Sequence, residues 1–455
     1  MTYTLRSGFC FGWWIKLSFH GRYFFMLLAI LLGACSRNFE PPPNIVLIMA
    51  DDLGYGDLGC YGNTEVSTPN IDALAAEGLK LTDFHSNGVV CSPTRAALLT
   101  GMYPQEAGIE GVVTAKSHRE TGMSLDHLTM AEFLKDKGYE TAIYGKWHLG
   151  YQPEFGPINQ GFDKFIGFVS GNVDYFSHID QEGYEDWWFG QQLQAEEGYL
   201  TELITDYGVN YIKNRSEQPF FLYLSHGAPH YPYQGPYDQA ERTVSGEFVV
   251  QGEREDRAVA YKEMIESLDY NVGRVMEALE AANGLDNTLV IFCSDNGATR
   301  QVGSNSPLRG QKGQVYEGGH RVPAIFYWKG KIESSVSDKL VMSMDIFPTI
   351  VDLLGEDVDQ LKDFSGNSLA GHLLGRPQNQ ANEERMVFWR FKERKAARKG
   401  PWKLIIDGED QLLFHLKQDI AETEDLKEEN PDKFQELING IKEWEHSLTE
   451  EIVAS

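Results

Sequence analysis

Asn44-Ile45-Val46-Leu47-Ile48-Met49-Ala50 is apolar after its first residue and runs straight into Asp51-Asp52. A strand covered on both faces of a parallel sheet reads this way, because neither face needs polar side chains. Runs of the same kind recur at wide intervals: Glu140–Tyr144, Phe220–Leu224, Thr288–Phe292 and Ala324–Trp328. Between them, helical periodicity covers Asn70–Glu77, Thr129–Lys137, Thr201–Lys213, Tyr261–Ala282 and Met344–Leu354. Strands alternating with helices predict an α/β fold, an open sheet with helices on both faces.

The character of the chain changes at about Leu361 to Gln380, which splits it into a main domain over 44–365 and a smaller one over 366–455. Short apolar runs at hairpin spacing follow: Met386–Phe391, Lys395–Lys399, Trp402–Ile406 and Leu412–Leu416. They predict a small antiparallel sheet. One helix closes the chain, with Phe434, Leu437, Ile438, Ile441 and Trp444 in a single apolar stripe, through which this domain is expected to pack on the larger one. Lys392, Arg394, Lys395, Arg398 and Lys399 form a basic cluster, either a solvated hairpin or a rim for an anionic ligand.

At the other end, Lys16 and Arg22 precede the apolar run Tyr23–Leu32, which is short for a membrane span but right for the core of a leader covering residues 1–34. The run ends Leu32-Gly33-Ala34-Cys35, which resembles the lipobox of bacterial lipoproteins. That resemblance implies lipidation of Cys35 and an exported protein held to a membrane, in the periplasm or at the cell surface. Residues 35–43, with three successive prolines, read as an extended tether. Cys60, Cys91 and Cys293 remain beyond it, too few for a disulfide framework. A formal charge of −27 excludes general nucleic-acid binding, which needs a basic footprint. An anionic substrate must therefore be drawn by local positive charge.

Chemistry collects where the strands end. Asp51-Asp52 follows the first strand, and Asp295-Asn296-Gly297 follows the strand that starts at Thr288. Ligands of open α/β sheets bind beyond the carboxyl ends of the strands, so Asp51, Asp52, Asp295 and Asn296 can converge. Three carboxylates and an amide oxygen suit Ca²⁺ or Mg²⁺, not zinc. Other strand ends run into Gly145-Lys146-Trp147-His148 and Ser225-His226-Gly227-Ala228-Pro229-His230. Lys146 and His148, two apart in an extended segment, are expected to point the same way. Leu308-Arg309-Gly310-Gln311-Lys312-Gly313 lacks the spacing of a phosphate-binding loop. Finally, Cys91-Ser92-Pro93-Thr94-Arg95 opens a helix that Gly101 closes, with Arg95 on the face of Cys91. A thiol beside a cation at a helix mouth is an activated or modified position, unless it is a small buried hydrophobe.

Taken in order, Asp51-Asp52, Cys91-x-Pro93-x-Arg95 with Leu98-Leu99-Thr100-Gly101, Gly145-Lys146-Trp147-His148, Asp295-Asn296-Gly297 and Gly310-x-Lys312 resemble the type I, formylglycine-dependent sulfatases of the alkaline-phosphatase superfamily. The likeness runs from about Asn44 to Leu426. It implies a large mixed, mostly parallel sheet sandwiched by helices, with a small C-terminal antiparallel sheet plus helix. It also implies a sulfuric-ester hydrolase, with sulfated carbohydrate as the expected substrate given an exported protein. By that likeness a maturation enzyme converts Cys91 to formylglycine. One hydroxyl of the aldehyde hydrate, held on Ca²⁺ rather than Mg²⁺, attacks sulfur, and a covalent sulfo-enzyme follows. Asp51, Asp52, Asp295, Asn296 and the modified Cys91 would hold the metal, with Arg95 steadying the hydrate. Lys146 and Lys312 would clamp the sulfate, His148 would be the base, and His230, rather than His226, the donor to the leaving oxygen.

Ser170 resembles a sulfate-contacting serine of the family, and Asp174 and His178 lie in an aromatic insertion with Tyr175, Tyr184, Trp187, Trp188 and Phe189. That insertion suits either a sugar or its own core. Two other readings stand beside the sulfatase one. The same superfamily fold serves phosphate or phosphonate monoester hydrolases, and a non-catalytic glycan-binding lipoprotein belongs to a different class.

Overall fold

Alternate residues of the first strand go to opposite sides of the main sheet. Ile45, Leu47 and Met49 join one buried cluster, while Val46, Ile48 and Ala50 join another. At about 1.5–3 kcal/mol for each large aliphatic side chain removed from water, this seven-residue strand anchors both layers at once. The computed structural model describes residues 41–361, 364–376 and 385–454. The leader, Cys35 and the start of the tether lie outside the described residues. Among those described, no helix is long and apolar enough to cross a membrane.

Sixteen strands are described. The main sheet takes β1 (Asn44–Ala50), β2 (Leu79–Leu81), β4 (Glu140–Lys146), β5 (Lys164–Phe168), β6 (Trp188–Phe189), β7 (Gln192–Leu193), β8 (Phe220–Ser225), β9 (Thr288–Ser294), β10 (Ala324–Tyr327) and β11 (Ser335–Ser337). Their order is β11-β2-β10-β9-β1-β8-β4-β5-β6-β7. The five central strands β9-β1-β8-β4-β5 are parallel, and β10 is antiparallel to β9, so the sheet is mixed but mostly parallel. Short β3 (Phe84–His85) pairs with β12 (Val341–Met342). The helices Pro69–Glu77, Leu200–Lys213 and Arg257–Ala281 cover one face. Cys91–Thr100, Met130–Asp136 and Ile346–Leu353 cover the other.

β13 (Met386–Phe391), β14 (Arg394–Lys399), β15 (Trp402–Asp407) and β16 (Asp410–His415) form the small antiparallel sheet, and the helix Pro431–Ala454 closes the chain. The expected packing through the helix stripe is corrected. Leu437 and Ile441 pack on Ala397, Leu404 and Leu413, which is the helix's own sheet. The opposite sheet face, with Trp389, Ala396, Ile405 and Phe414, meets Val89, Ala97, Val315 and Met344 of the main domain. The sheet thus has two apolar faces, and the stripe was needed to cover the outer one. Of the stripe, Trp444 reaches Tyr103, with ring centroids 5.3 Å apart.

The basic cluster lies on the β13–β14 hairpin, with Lys392 exposed at its tip, but most of its cations are paired with carboxylates of the chain. Arg398 is buried on Asp83, at 2.8 and 2.6 Å. Lys395 pairs with Glu445, Lys399 with Glu436 and Arg394 with Asp407.

Candidate active site

The parallel register sets β1 beside β9 so that Ala50 faces Ser294, and the next residues of each strand leave the sheet together. Asp51, Asp52, Asp295 and Asn296 are all buried there. Asp52 turns into the left-handed region at φ 64°, which costs a non-glycine residue and calls for support. Its N–H donates to Asp295 Oδ1 at 3.1 Å, and the Tyr261 hydroxyl donates to its carbonyl at 2.9 Å. The Ser294 hydroxyl holds the next amide, of Leu53, at 3.1 Å.

Cys91 opens the helix Cys91–Thr100, whose ten residues are all buried, and Gly101 ends it at φ 71°. Arg95 donates to Asp295 Oδ2 at 3.0 Å and to the Ser225 hydroxyl, which in turn donates to the Lys146 carbonyl at 2.7 Å. Lys146 Nζ reaches Asp51 Oδ2 at 2.5 Å. Lys312 Nζ lies 2.6 Å from Asp52 Oδ1 and 3.3 Å from Cys91 Sγ. His230 Nε2 lies 3.6 Å from Asp52 Oδ2. Ligand atoms of Asp51, Asp52, Cys91 and His230 all fall within 4.8 Å of one another.

The expectation that Lys146 and His148 share an extended segment is corrected. β4 ends at Lys146, and His148 sits at φ 60°. Its Nε2 meets the Val113 carbonyl at 2.9 Å. A carbonyl only accepts, so Nε2 carries the proton and Nδ1, which has no hydrogen-bond partner, keeps its lone pair. His230 has the opposite tautomer, because its Nδ1 donates to the Tyr231 carbonyl at 2.7 Å. Burial, followed by the nearby cations, holds His148 well below the usual histidine range. Burial and then Lys312 push His230 down to about 3. Both imidazoles are therefore neutral.

The carboxylates are split. Burial alone would raise Asp52, but Lys312 and His230 pull it down to about 2. Burial and Asp51 push Asp295 up to about 7 despite Arg95. Asp51 Oδ1 and Asn296 Oδ1 are buried with no hydrogen-bond partner. Crowded carboxylates and orphaned hard oxygens fit a divalent cation of the Ca²⁺ or Mg²⁺ type. His85, Glu317 and His320 gather elsewhere, but the Lys403 ammonium already sits on Glu317 at 2.8 Å, so that cluster is a buried ionic bridge to the small sheet.

Ser170, Asp174 and His178, expected at the substrate, make their described contacts with neighbouring loops. The Ser170 hydroxyl donates to the Asn172 carbonyl at 3.0 Å. Asp174 accepts from the Phe176, Ser177, Glu241 and Arg242 amides and from Gln234 Nε2, so it knits the insertion together. His178 stacks on Trp187, with centroids 4.7 Å apart. Tyr175 and Trp187 are buried in the cluster that also covers one face of the main sheet. Ser225, Ser294 and Tyr261 went unread in the sequence. The first two end strands beside the acidic and cationic motifs, which is the signal that could have found them.

A family model described as Sulfatase matches residues 43–356. Human arylsulfatase A is 36% identical over 77% of this chain and 71% of its own length. Human N-acetylgalactosamine-6-sulfatase is 33% identical over 76% and 69%. Among solved structures, Ps i-CgsB in complex with k-i-k-neocarrahexaose superposes with a TM-score of 0.79 at 28% identity, covering 89% of this chain and 92% of that one.

Proposed function

This chain belongs to the sulfatase family, and from that premise we propose that it hydrolyses sulfate esters of carbohydrate, using a formylglycine made from Cys91 beside a bound Ca²⁺. The observation that carries the reading is the gathering of Cys91 with Asp51, Asp52 and His230 inside 4.8 Å, with Lys312 on its sulfur. Burial pushes the Cys91 thiol up to about 12, so it is a poor thiolate at neutral pH. That supports a precursor, not a nucleophile in its own right.

Asp51, Asp52, Asp295 and Asn296 would hold the ion. Ion and aldehyde hydrate together supply an acidified hydroxyl and neutralise sulfate charge. The remaining work falls to side chains of the chain itself. Arg95, fixed by Asp295 and Ser225, orients the residue at position 91 from one turn further along the helix. Lys146 and Lys312 meet the sulfate oxygens as fixed positive charges in a site with little water. His148 accepts a proton at Nδ1, the nitrogen its Val113 contact leaves bare. His230 donates from Nε2 after taking up a proton, which an arriving sulfate ester favours by adding negative charge.

Carbohydrate is favoured by two relatives: one is called an N-acetylgalactosamine-6-sulfatase and the other was solved with a neocarrahexaose. The Leu32-Gly33-Ala34-Cys35 pattern supports an exported, lipid-anchored enzyme, matured by a formylglycine-generating partner. The deciding experiment is parallel turnover of 4-nitrophenyl sulfate and 4-nitrophenyl phosphate by protein co-expressed with a formylglycine-generating enzyme. Sulfate is expected to be strongly preferred. A phosphate preference would transfer the site to phosphate or phosphonate monoesters. No turnover of either, with Cys91 converted in the mass spectrum, would leave a glycan binder.

A further inference from the structure

Two segments leave His148 and meet again at the surface. The first begins at Val113, whose carbonyl accepts a hydrogen bond from His148 Nε2 at 2.9 Å, and continues through the one-turn helix Ala115–His118 to Arg119. The second begins at Gly171, whose backbone lies so close to the His148 ring that an added Cβ would stand 2.9 Å from Nε2. From there Asn172 bonds Gln181 at 3.0 Å, Val173 bridges Asp180, and the loop turns to Tyr184. The segments rejoin where the Arg119 guanidinium lies 5.0 Å from the Tyr184 ring centroid, with the Tyr151 ring at 6.0 Å.

Five residues, four of them in a helical turn, separate Val113 from Arg119, so this wall reaches at most roughly 15 Å from Val113. Arg119 is exposed and forms no ion pair among the described residues, although the chain carries a net charge of −27. Tyr184 is 54% exposed. A guanidinium stacked over an aromatic ring is held in place while its N–H groups stay free for a carboxylate or sulfate. The exposed ring area beside it suits the apolar face of a sugar.

We propose that Arg119 and Tyr184, with Tyr151 beneath, form a subsite for a neighbouring sugar that carries its own sulfate or carboxylate, outside the pocket where the ester is cleaved. This rests on the sulfatase reading for the position of the cleaved ester. The subsite selects acidic glycan chains over small sulfate esters, and it takes no part in the chemistry.

The test measures inhibition of 4-nitrophenyl sulfate turnover by tetrasaccharides of chondroitin 6-sulfate and of kappa-carrageenan. Arg119→Ala and Tyr184→Ala are expected to raise the inhibition constant of the better tetrasaccharide about tenfold. They should leave kcat and KM for 4-nitrophenyl sulfate within about twofold and the melting temperature unchanged. Arg119→Lys, which keeps charge but not the planar fork, should fall between. An unchanged inhibition constant, an equal loss on the small ester, or no inhibition of the wild type by either tetrasaccharide overturns the subsite. If the wild type does not turn over 4-nitrophenyl sulfate at all, the sulfatase reading has failed instead. Calorimetric binding of the same tetrasaccharides to the wild type and Arg119→Ala then decides the subsite alone.

Discussion

The Lys312 ammonium stands 3.3 Å from the Cys91 sulfur, and the same ammonium holds Asp52 at 2.6 Å. One cation thus touches both the residue to be modified and a carboxylate of the cage. The surrounding carboxylates keep it charged against burial.

Lys312→Ala is expected to lower kcat/KM for 4-nitrophenyl sulfate by about 10²–10³, the usual cost of removing one fixed donor from a developing negative charge. Conversion of Cys91 should remain complete in the mass spectrum. If Cys91 is left unmodified in this variant, the lysine acts in maturation and not in turnover.

Asp295 is poised at about 7 because burial and Asp51 outweigh Arg95. Asp295→Asn keeps the shape and removes one buried negative charge. Because a carboxyl raised in the fold costs stability when ionised, the melting temperature without added metal should match or exceed that of the wild type. Ca²⁺ should raise the wild-type melting temperature and leave this variant unmoved, and chelation should abolish wild-type turnover until Ca²⁺ is restored. An equal Ca²⁺ shift in both proteins would remove Asp295 from the cage.

Much of this site was legible because chemistry-bearing residues cluster at strand ends, and strand ends follow from apolar runs. Asp51, Asp295 and His230 follow from that pattern, as do β9, β1, β8 and β4 of the main sheet, though not β5. The short outer strands do not, since Leu79–Leu81 and Gln192–Leu193 are too short to show a period. The Lys146–His148 geometry depended on a positive φ at His148, which a histidine's identity does not announce. Arg398 reads as a surface cation in sequence because its partner, Asp83, lies 315 residues away. Long-range pairing of charges leaves no local pattern.

That pair has a measurable pH signature. Burial would raise Asp83, but Arg398 and Arg321 hold it well below the usual carboxylate range. A depressed carboxyl stabilises the fold above its unfolded value of about 3.9, and the contribution drains away as pH falls below that. Asp83→Asn leaves the buried Arg398 and Arg321 to share Glu317 alone, at a cost of about 3 kcal/mol at pH 7. The gap in stability between wild type and variant should narrow as denaturant melts are taken from pH 5 towards pH 3. A gap that stays constant over this range would mean that the carboxyl is not depressed.

Tyr261 supports the cage from behind. Its hydroxyl lies 2.9 Å from the Asp52 carbonyl and 2.6 Å from Asp57 Oδ2. Asp52 is held at φ 64°, a conformation that persists only where neighbours fix it. Removing the hydroxyl frees the peptide to relax, and the carboxylate then drifts from the position it shares with Lys312 and Asn296. Tyr261→Phe should cost about 1–2 kcal/mol of stability, as for a lost buried hydrogen bond. It should also raise several-fold the Ca²⁺ concentration needed for half-maximal thermal stabilisation. At saturating Ca²⁺ the KM for 4-nitrophenyl sulfate should be close to wild type, because no atom of Tyr261 is placed at the substrate. A raised KM with an unchanged Ca²⁺ requirement would instead put the effect of Tyr261 on the substrate side and leave the strained Asp52 held by its N–H hydrogen bond to Asp295.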